Sequence, residues 1–418
     1  EQEDLARWAT AAGLTTYARD PRGRLAQVAA PGGVTTDLTY DVRGNVTRLA
    51  LPNDVVVIYT YVGYPVIIWL VSLRASDVDA IIPQEWPEIT LIIPVFNDLE
   101  KAQAKIENLT QIDYPKDKLS ILMVSDGSTD GTNECLSVDQ RIDFISYEAR
   151  QGKPTALNTG VMRAKSEIIV FTDVRQQVEP SAVKRLVARL LSPGIGAVSG
   201  ELVLLDPETN TGAHVSLYWQ YEKFIRKAES KVASVAGVTG ALYAIRRNDF
   251  VPLAVDTLLD DFEVPLAIIK SGKRCLIEPG AIVYDYPQED TAGEKLRKIR
   301  TLTGNYQSFF RHAWVFSPTQ NPIWVQFISH KFLRLMVPYF LMLALISSFF
   351  LTGLAFVTTF FGQLGFYGLA VLGSVNPSMK ENKFVSLANV FTELNWAAVL
   401  ALKNYITQNV NVKWDKTA

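Results

Sequence analysis

Two charge-poor stretches constrain this chain more than any other feature. Residues 55–73 carry no charged side chain, and residues 332–375 carry only Arg334. A helix that crosses a bilayer needs roughly 20 apolar residues, so both stretches are long enough to span. The chain reads as a membrane protein whose intervening 250 or so residues are soluble in character. The first stretch lies too far from residue 1, and lacks a small-residue cleavage site, to be an ordinary signal peptide. Pro65 is expected to kink it, and Tyr59, Tyr61, Tyr64 and Trp69 suit interfacial anchoring. Arg74, Lys380 and Lys383 favour the cytoplasmic side for the soluble block. A last apolar segment, 384–406, contains Glu393, Asn395 and Lys403, which leaves spanning, re-entrant and interfacial placements open.

The soluble block alternates strands and helices. Residues 88–98, 119–126 and 168–173 are apolar runs of strand length that end in polar residues, with helical spacing at 99–109 and 154–164 between them. That alternation predicts parallel pairing with right-handed crossovers. Three successive strands then end in acids at one sheet edge: Asp98, Asp126 and Asp173. The run Ile168-Ile169-Val170-Phe171-Thr172-Asp173 stops abruptly at its carboxylate, and the crevice of an open α/β sheet lies at such edges. Asp173 is therefore the expected centre of the site; capping of the following turn is the plainer alternative. Further along, the pattern predicts a helix over 180–191, a strand over 195–205, a helix over 215–228, a Gly-flanked strand over 237–247, a helix led by Asp260-Asp261 over 258–269, and a basic helix over 297–307. A formal charge of −2 and a pI near 6.1 give no general attraction to polyanions, so nucleic acid is not an expected partner. Two cysteines and three histidines exclude a disulfide framework and make zinc chemistry improbable.

Residues 1–53 contain an internal repeat. Asp20-Pro21-Arg22-Gly23 recurs as Asp41-Val42-Arg43-Gly44, 21 residues on, with Tyr17 and Tyr40 just ahead. Each copy reads as a strand, a turn and a strand. The segment resembles the YD repeats of bacterial Rhs-type secreted shell proteins. Such units bury their faces against neighbours, so two copies are not expected to fold well alone. The segment reads as a join with no functional tie to the rest of the chain, or else as the stub of a longer array.

Residues 55–418 resemble membrane-bound family 2 glycosyltransferases, the group that includes cellulose, hyaluronan and poly-N-acetylglucosamine synthases. The matching stretches, in order, are Ile93-Pro94-Val95-Phe96-Asn97-Asp98, Ser125-Asp126-Gly127-Ser128-Thr129-Asp130-Gly131-Thr132, Gly152-Lys153-Pro154, Phe171-Thr172-Asp173, Asp260-Asp261 and the basic 297–307 segment. The resemblance implies an α/β fold, a GT-A Rossmann-like mixed sheet flanked by helices, with one N-terminal and two to three C-terminal transmembrane helices. It divides the chain into a YD-repeat-like segment (1–53), a transmembrane helix (54–74), the transferase domain (75–315), and interfacial and transmembrane helices with a short tail (316–418). By resemblance Asn97, Asp98, Asp126 and Gly127 would hold the nucleoside, with Lys153 nearby. Asp173 and Arg175 would face the diphosphate, and Arg297, Lys298 and Arg300 would face either phosphate or the anionic lipid surface. Asp261, beside Asp260, would be the general base, and a base opposite the leaving group implies inversion and a β-linkage.

Two departures from the family pattern matter. The family's metal motif is Asp-x-Asp, and here its third position is Arg175. Mg²⁺ often takes only one or two protein carboxylates plus phosphate oxygens, so Asp173 is still expected to support Mg²⁺ or Mn²⁺; Arg175 could instead compensate the diphosphate itself. Processive members carry Gln-x-x-Arg-Trp, whereas Arg297-Lys298-Ile299-Arg300-Thr301 lacks the Trp. The expectation is an inverting transferase in a bacterial inner membrane, multi-pass with its catalytic domain cytoplasmic. It would move a sugar from a UDP-type donor to a glycan or lipid-linked saccharide, with membrane lipids as further partners. A processive exopolysaccharide synthase is the alternative within enzymes, and a membrane-anchored YD-repeat structural or secretion protein the alternative outside them.

Overall fold

The fold is that of a computed structural model, which describes residues 6–10, 13–19, 21–22, 25–29, 35–40, 46–49, 53–205, 217–286, 291–350, 353–376, 378–379 and 382–409. The chain divides into two units, Glu1–Gly63 with Phe332–Val399, and Tyr64–Lys331 with Leu400–Ala418.

The first unit holds a five-stranded antiparallel sheet in simple sequence order. Each repeat copy forms a hairpin: Gly13–Arg19 pairs with Leu25–Ala29, and Thr35–Tyr40 pairs with Val46–Leu49. The repeat's Asp20, Gly23 and 41–44 lie outside the described residues, as does Lys380. Apolar helices follow: Leu333–Phe350, Leu354–Val375 and Lys383–Ile406. Asn389 donates from Nδ2 to Ala370 O (3.0 Å) and Ser374 Oγ (2.7 Å), so this polar side chain is satisfied between helices as an apolar solvent requires.

Among the described residues, four helical segments are long and apolar enough to cross a membrane: Val56–Arg74, Trp324–Phe350, Phe356–Val375 and Lys383–Ile406. In the first, a π-helical turn at Tyr59–Gly63 lies immediately ahead of Pro65. The proline ring would clash with the carbonyl four residues back, and the widened turn absorbs it.

The second unit carries a mixed eight-stranded sheet flanked by helices. In chain order its elements are β1 (Ile89–Val95), α1 (Leu99–Thr110), β2 (Leu119–Ser125), α2 (Thr132–Ser137), β3 (Asp143–Ser146), α3 (Lys153–Arg163), β4 (Ile168–Thr172), β5 (Gln177–Val178), α4 (Ala182–Leu190), β6 (Ile195–Leu204), α5 (Leu217–Val232), β7 (Leu242–Arg246), α6 (Asp260–Lys270), β8 (Arg274–Asp285) and α7 (Thr291–Arg311). The sheet order is β5-β8-β6-β7-β4-β1-β2-β3. Strands β4, β1, β2 and β3 are parallel, as the alternation predicts. Beyond Asp173 the rule breaks: β7 inserts antiparallel between β4 and β6.

Every residue of β1 is buried, as expected of a central strand covered on both faces. Ile89, Leu91, Ile93 and Val95 pack in one cluster with Ala102, Ile106 and Leu109 of α1. Each fully buried aliphatic side chain contributes roughly 1.5–3 kcal/mol, which anchors the strand whose end presents Asn97 and Asp98. The strand expected from Gly237 begins only at Leu242. Residues 237–240 instead turn against α6, with Val238 N–H donating to Asp261 O (2.9 Å).

Candidate active site

Parallel pairing of β1, β2 and β4 brings Asp98, Asp126 and Asp173 to one edge of the sheet, and Asp126 N–H bonds Val95 O across it (2.9 Å). The acids then take different surroundings. Asp98 pairs with Lys101 one turn along α1 (3.3 Å). Asn97, in the left-handed region (φ 47°), ties β1 to the next loop: its N–H donates to Ser128 Oγ (3.0 Å) and its Oδ1 accepts from Thr129 N–H (2.7 Å).

Asp126 has no solvent exposure. Its carboxylate accepts the backbone N–H groups of Gln151 (2.7 Å) and Gly152 (2.9 and 3.0 Å), just ahead of α3. Such charge-assisted bonds at a helix start are strong, and they fix the loop that carries Arg150 and Lys153. Gly127 (φ +74°) lies against this loop, and a Cβ there would meet Arg150 N at 2.7 Å. Arg150 lies over the Phe96 ring, its Cζ 3.9 Å from the centroid, with Nε 4.0 Å from Asp126. Sequence reasoning misses Arg150; its place two residues before Gly152-Lys153 is the available signal.

Lys153, at the first position of α3, is the hub. Its Nζ lies 2.9 Å from Asp173 Oδ1 and 3.2 Å from Asp260 Oδ2. Burial pulls the ammonium's pKa down, but the Asp173 and Asp260 charges outweigh it and hold the group protonated, above the usual lysine range. Asp260 and Asp261 begin α6, whose N-terminus favours acids. Leu259 occupies the N-cap, so neither aspartate caps the helix. Burial, then repulsion from Asp260, push the Asp261 carboxyl up to about 6, while Lys153 pulls the other way.

Tyr243, also missed, pairs across β7 and β4 with Phe171, ring centroids 4.8 Å apart. Its hydroxyl is buried without a hydrogen-bond partner among the described residues. Burial and the charges of Asp260, Asp261 and Asp173 raise its pKa, so it stays a neutral donor. Lys105, a third omission, reaches from α1 beneath the 172–176 loop, donating to Thr172 Oγ1 (2.8 Å) and Gln176 O (2.6 Å). Burial lowers its pKa to about 7 against the opposing pull of Asp173 and Asp285.

Arg175 turns to the buried Asp285, which also accepts Gln176 Nε2 (3.0 Å). The guanidinium thus locks the loop to the end of β8. Arg297 and Lys298 are exposed on α7 and Arg300 is half-buried. Ser308 near the end of α7 and His312 just beyond it bond the two carboxylate oxygens of Glu263, the latter at 2.6 Å, and so brace the helix that carries Asp260 and Asp261.

Among the described residues no group of three or more His, Cys, Asp or Glu gathers as a metal cluster. Asp173 and Asp260 nevertheless converge on one cation position, the Lys153 ammonium. Two carboxylates suit a magnesium-type ion that takes its other ligands from a diphosphate and water, so the donor set fits an ion shared with substrate.

Comparison with known proteins settles the class. Residues 90–251 match the model for glycosyl transferase family 2. The chain carries a family 2 glycosyltransferase domain. Its relatives include an N-acetylglucosaminyltransferase from Azorhizobium caulinodans, 25% identical over 242 residues, covering 53% of this chain and 60% of that protein. A poly-beta-1,6-N-acetyl-D-glucosamine synthase from Staphylococcus epidermidis is 21% identical over 239 residues, 55% of this chain and 58% of that one. The matched regions span less than two thirds of these curated relatives. A mannosyltransferase from Pyrobaculum calidifontis, solved with GDP-Man and Mn²⁺, superposes with a TM-score of 0.66 at 22% identity, over 86% of this chain and 100% of that one. The shared fold is GT-A-like. Residues 19–56 match the RHS repeat, in agreement with the YD-repeat reading.

Proposed function

We propose that this glycosyltransferase domain moves a sugar from a nucleotide-sugar, of UDP type, to a glycan or lipid-linked saccharide at the cytoplasmic face of a bacterial inner membrane, with inversion to a β-linkage. The observation that carries the reading is the convergence of Asp173, Asp260 and Lys153 beside an aspartate whose pKa is raised. The domain division is 1–53, 54–74, 75–315 and 316–418, with catalysis in the third part.

Asp98 and Asp126 serve the nucleoside, Asp126 from beneath through the Arg150–Gly152 backbone it holds. Asp261 takes the proton of the acceptor hydroxyl as that oxygen attacks the anomeric carbon. The bond from that carbon to the phosphate oxygen breaks, and its electron pair leaves with the nucleoside diphosphate. Lys153 opposes the charge that develops there. Arg175 holds the loop that positions Asp173, while Arg297, Lys298 and Arg300 supply positive charge for phosphate or for anionic lipid. Asp173 and Asp260 would hold a Mg²⁺ or Mn²⁺ ion, which when bound neutralises diphosphate charge. Transfer is expected to fall in excess EDTA and to recover on adding either ion; full turnover in EDTA rejects the metal.

The base must be ionised to accept a proton. Because its pKa is raised to about 6, the transfer rate should fall as pH drops through about 6 rather than near the ordinary carboxylate value. A pH–rate profile checks this, and a flat profile down to pH 5 rejects it. The general test gives membranes that carry the chain a panel of radiolabelled UDP- and GDP-sugars. The relatives' names make UDP-N-acetylglucosamine the first donor to try. Incorporation of none of them overturns the proposal.

A further inference from the structure

Helix α1 turns four residues to the interior: Ala102, Lys105, Ile106 and Leu109. Three of them join the apolar core, and the fourth is a lysine only 2% exposed to solvent. A buried ammonium is costly unless it is hydrogen-bonded and faces opposite charge, and an aliphatic side chain of the same length would fill the space at less cost. The partners of Lys105 therefore matter. Its Nζ donates to Thr172 Oγ1 (2.8 Å) and to Gln176 O (2.6 Å), which are the two ends of the turn that carries Asp173.

The strands on either side of that turn are fixed without the lysine. Thr172 ends β4 and pairs with Leu242 of β7, while Gln177 and Val178 form β5 and pair with β8. Asn108, three residues along α1, adds a two-way grip on β5: its Nδ2 donates to Val178 O (2.9 Å) and its Oδ1 accepts from Val178 N–H (2.8 Å). Residues 173–176 lie outside both ladders. On their far side Asp285 holds Arg175 and Gln176. What Lys105 adds is the span of the turn, since one ammonium bonds both of its ends from beneath. The Asp173 carboxylate stands on the open side, 36% exposed, where it meets Lys153.

We infer that Lys105 is a positioning residue, whose buried ammonium closes the 172–176 turn and so sets where the Asp173 carboxylate stands relative to Lys153. The inference rests on the proposed transfer reaction and adds what fixes the acid that serves the donor diphosphate. Lys105 itself touches no substrate, because the turn covers it.

The test uses membranes that carry the full chain, with whichever labelled UDP- or GDP-sugar they turn over, and reads donor KM and kcat separately. In Lys105→Met the donor KM should rise roughly tenfold, within the about 10²-fold that a misplacement of about 1 Å can cost. Asn108→Leu is the comparison: it removes the grip on β5, away from Asp173, and should leave the donor KM unchanged. A lysine that served only the core would lower the number of folded molecules, so that kcat per chain falls at constant KM. That result in Lys105→Met, or an equal rise of KM in both variants, overturns the inference. Thr172→Val keeps the lysine and removes one of its two acceptors, and so carries the test if Lys105→Met does not accumulate. Its donor KM should rise about threefold or more, the worth of one hydrogen bond to a charged group, and an unchanged KM overturns the inference. Silence of the wild-type membranes with every donor overturns instead the transfer reaction on which it rests.

Discussion

Asp261→Asn should lower glycosyl transfer by about 10²–10⁴-fold, the range that a positioned general base supplies. The substitution keeps the shape of the side chain and removes only its ability to take the acceptor proton. Its backbone carbonyl still accepts from Val238 N–H, and Gly240 still packs beside it, so the α6 start is retained. One negative charge fewer beside the diphosphate means that the donor binds at least as well. The expected signature is a collapse of kcat with the donor KM unchanged or lower, together with loss of the rate limb near pH 6 from any residual activity. Equal incorporation by variant and wild type rejects Asp261 as the base.

Lys153→Met should have the second-largest effect, and for two separable reasons. The ammonium is the cation that Asp173 and Asp260 share, and removing it strands their charges; with Asp173 36% exposed to solvent, the cost should stay below the ~3–5 kcal/mol of a fully buried pair. Thermal stability should therefore drop. Lys153 also pulls the Asp261 pKa down against burial and Asp260, so without it the acid limb should move above about 6. Donor affinity should weaken as well, since a charge opposing the diphosphate is gone. The double variant Lys153→Met/Asp173→Asn separates these effects, because neutralising Asp173 should return part of the stability without returning activity. An acid limb that stays at about 6 in Lys153→Met shows that the lysine does not govern the base.

Much of the catalytic fold is legible in the sequence. Strands β1, β2 and β4 announce themselves as apolar runs, and an acid at the end of each parallel strand must reach the same edge. The membrane helices are legible for the same reason, since spanning imposes a length and a polarity that few other constraints mimic. The antiparallel insertion of β7 is not, because Leu242–Arg246 has the composition of any buried strand and only its partners decide its direction.

The site divides along similar lines. Asp173, Lys153 and Asp260 can each be nominated from local sequence, but their meeting at one ammonium joins α3, the end of β4 and α6, residues spread over 107 positions. Arg175 illustrates the limit best. In the sequence it stands where the family has an acid and could compensate the diphosphate charge itself; the fold places its guanidinium on Asp285, 110 residues away, as a brace for the loop. Lys105, Arg150 and Tyr243 stand out little in the sequence, because their surroundings come from distant neighbours.

The order of apolar and acidic residues alone determined that this chain has helices long and apolar enough to cross a membrane and builds a sheet with acids on one edge, because hydrophobic burial and strand direction act through local pattern. Which side chains meet there, and the pKa values that result, only the tertiary structure decided, because charge pairing and desolvation depend on distances in space rather than along the chain.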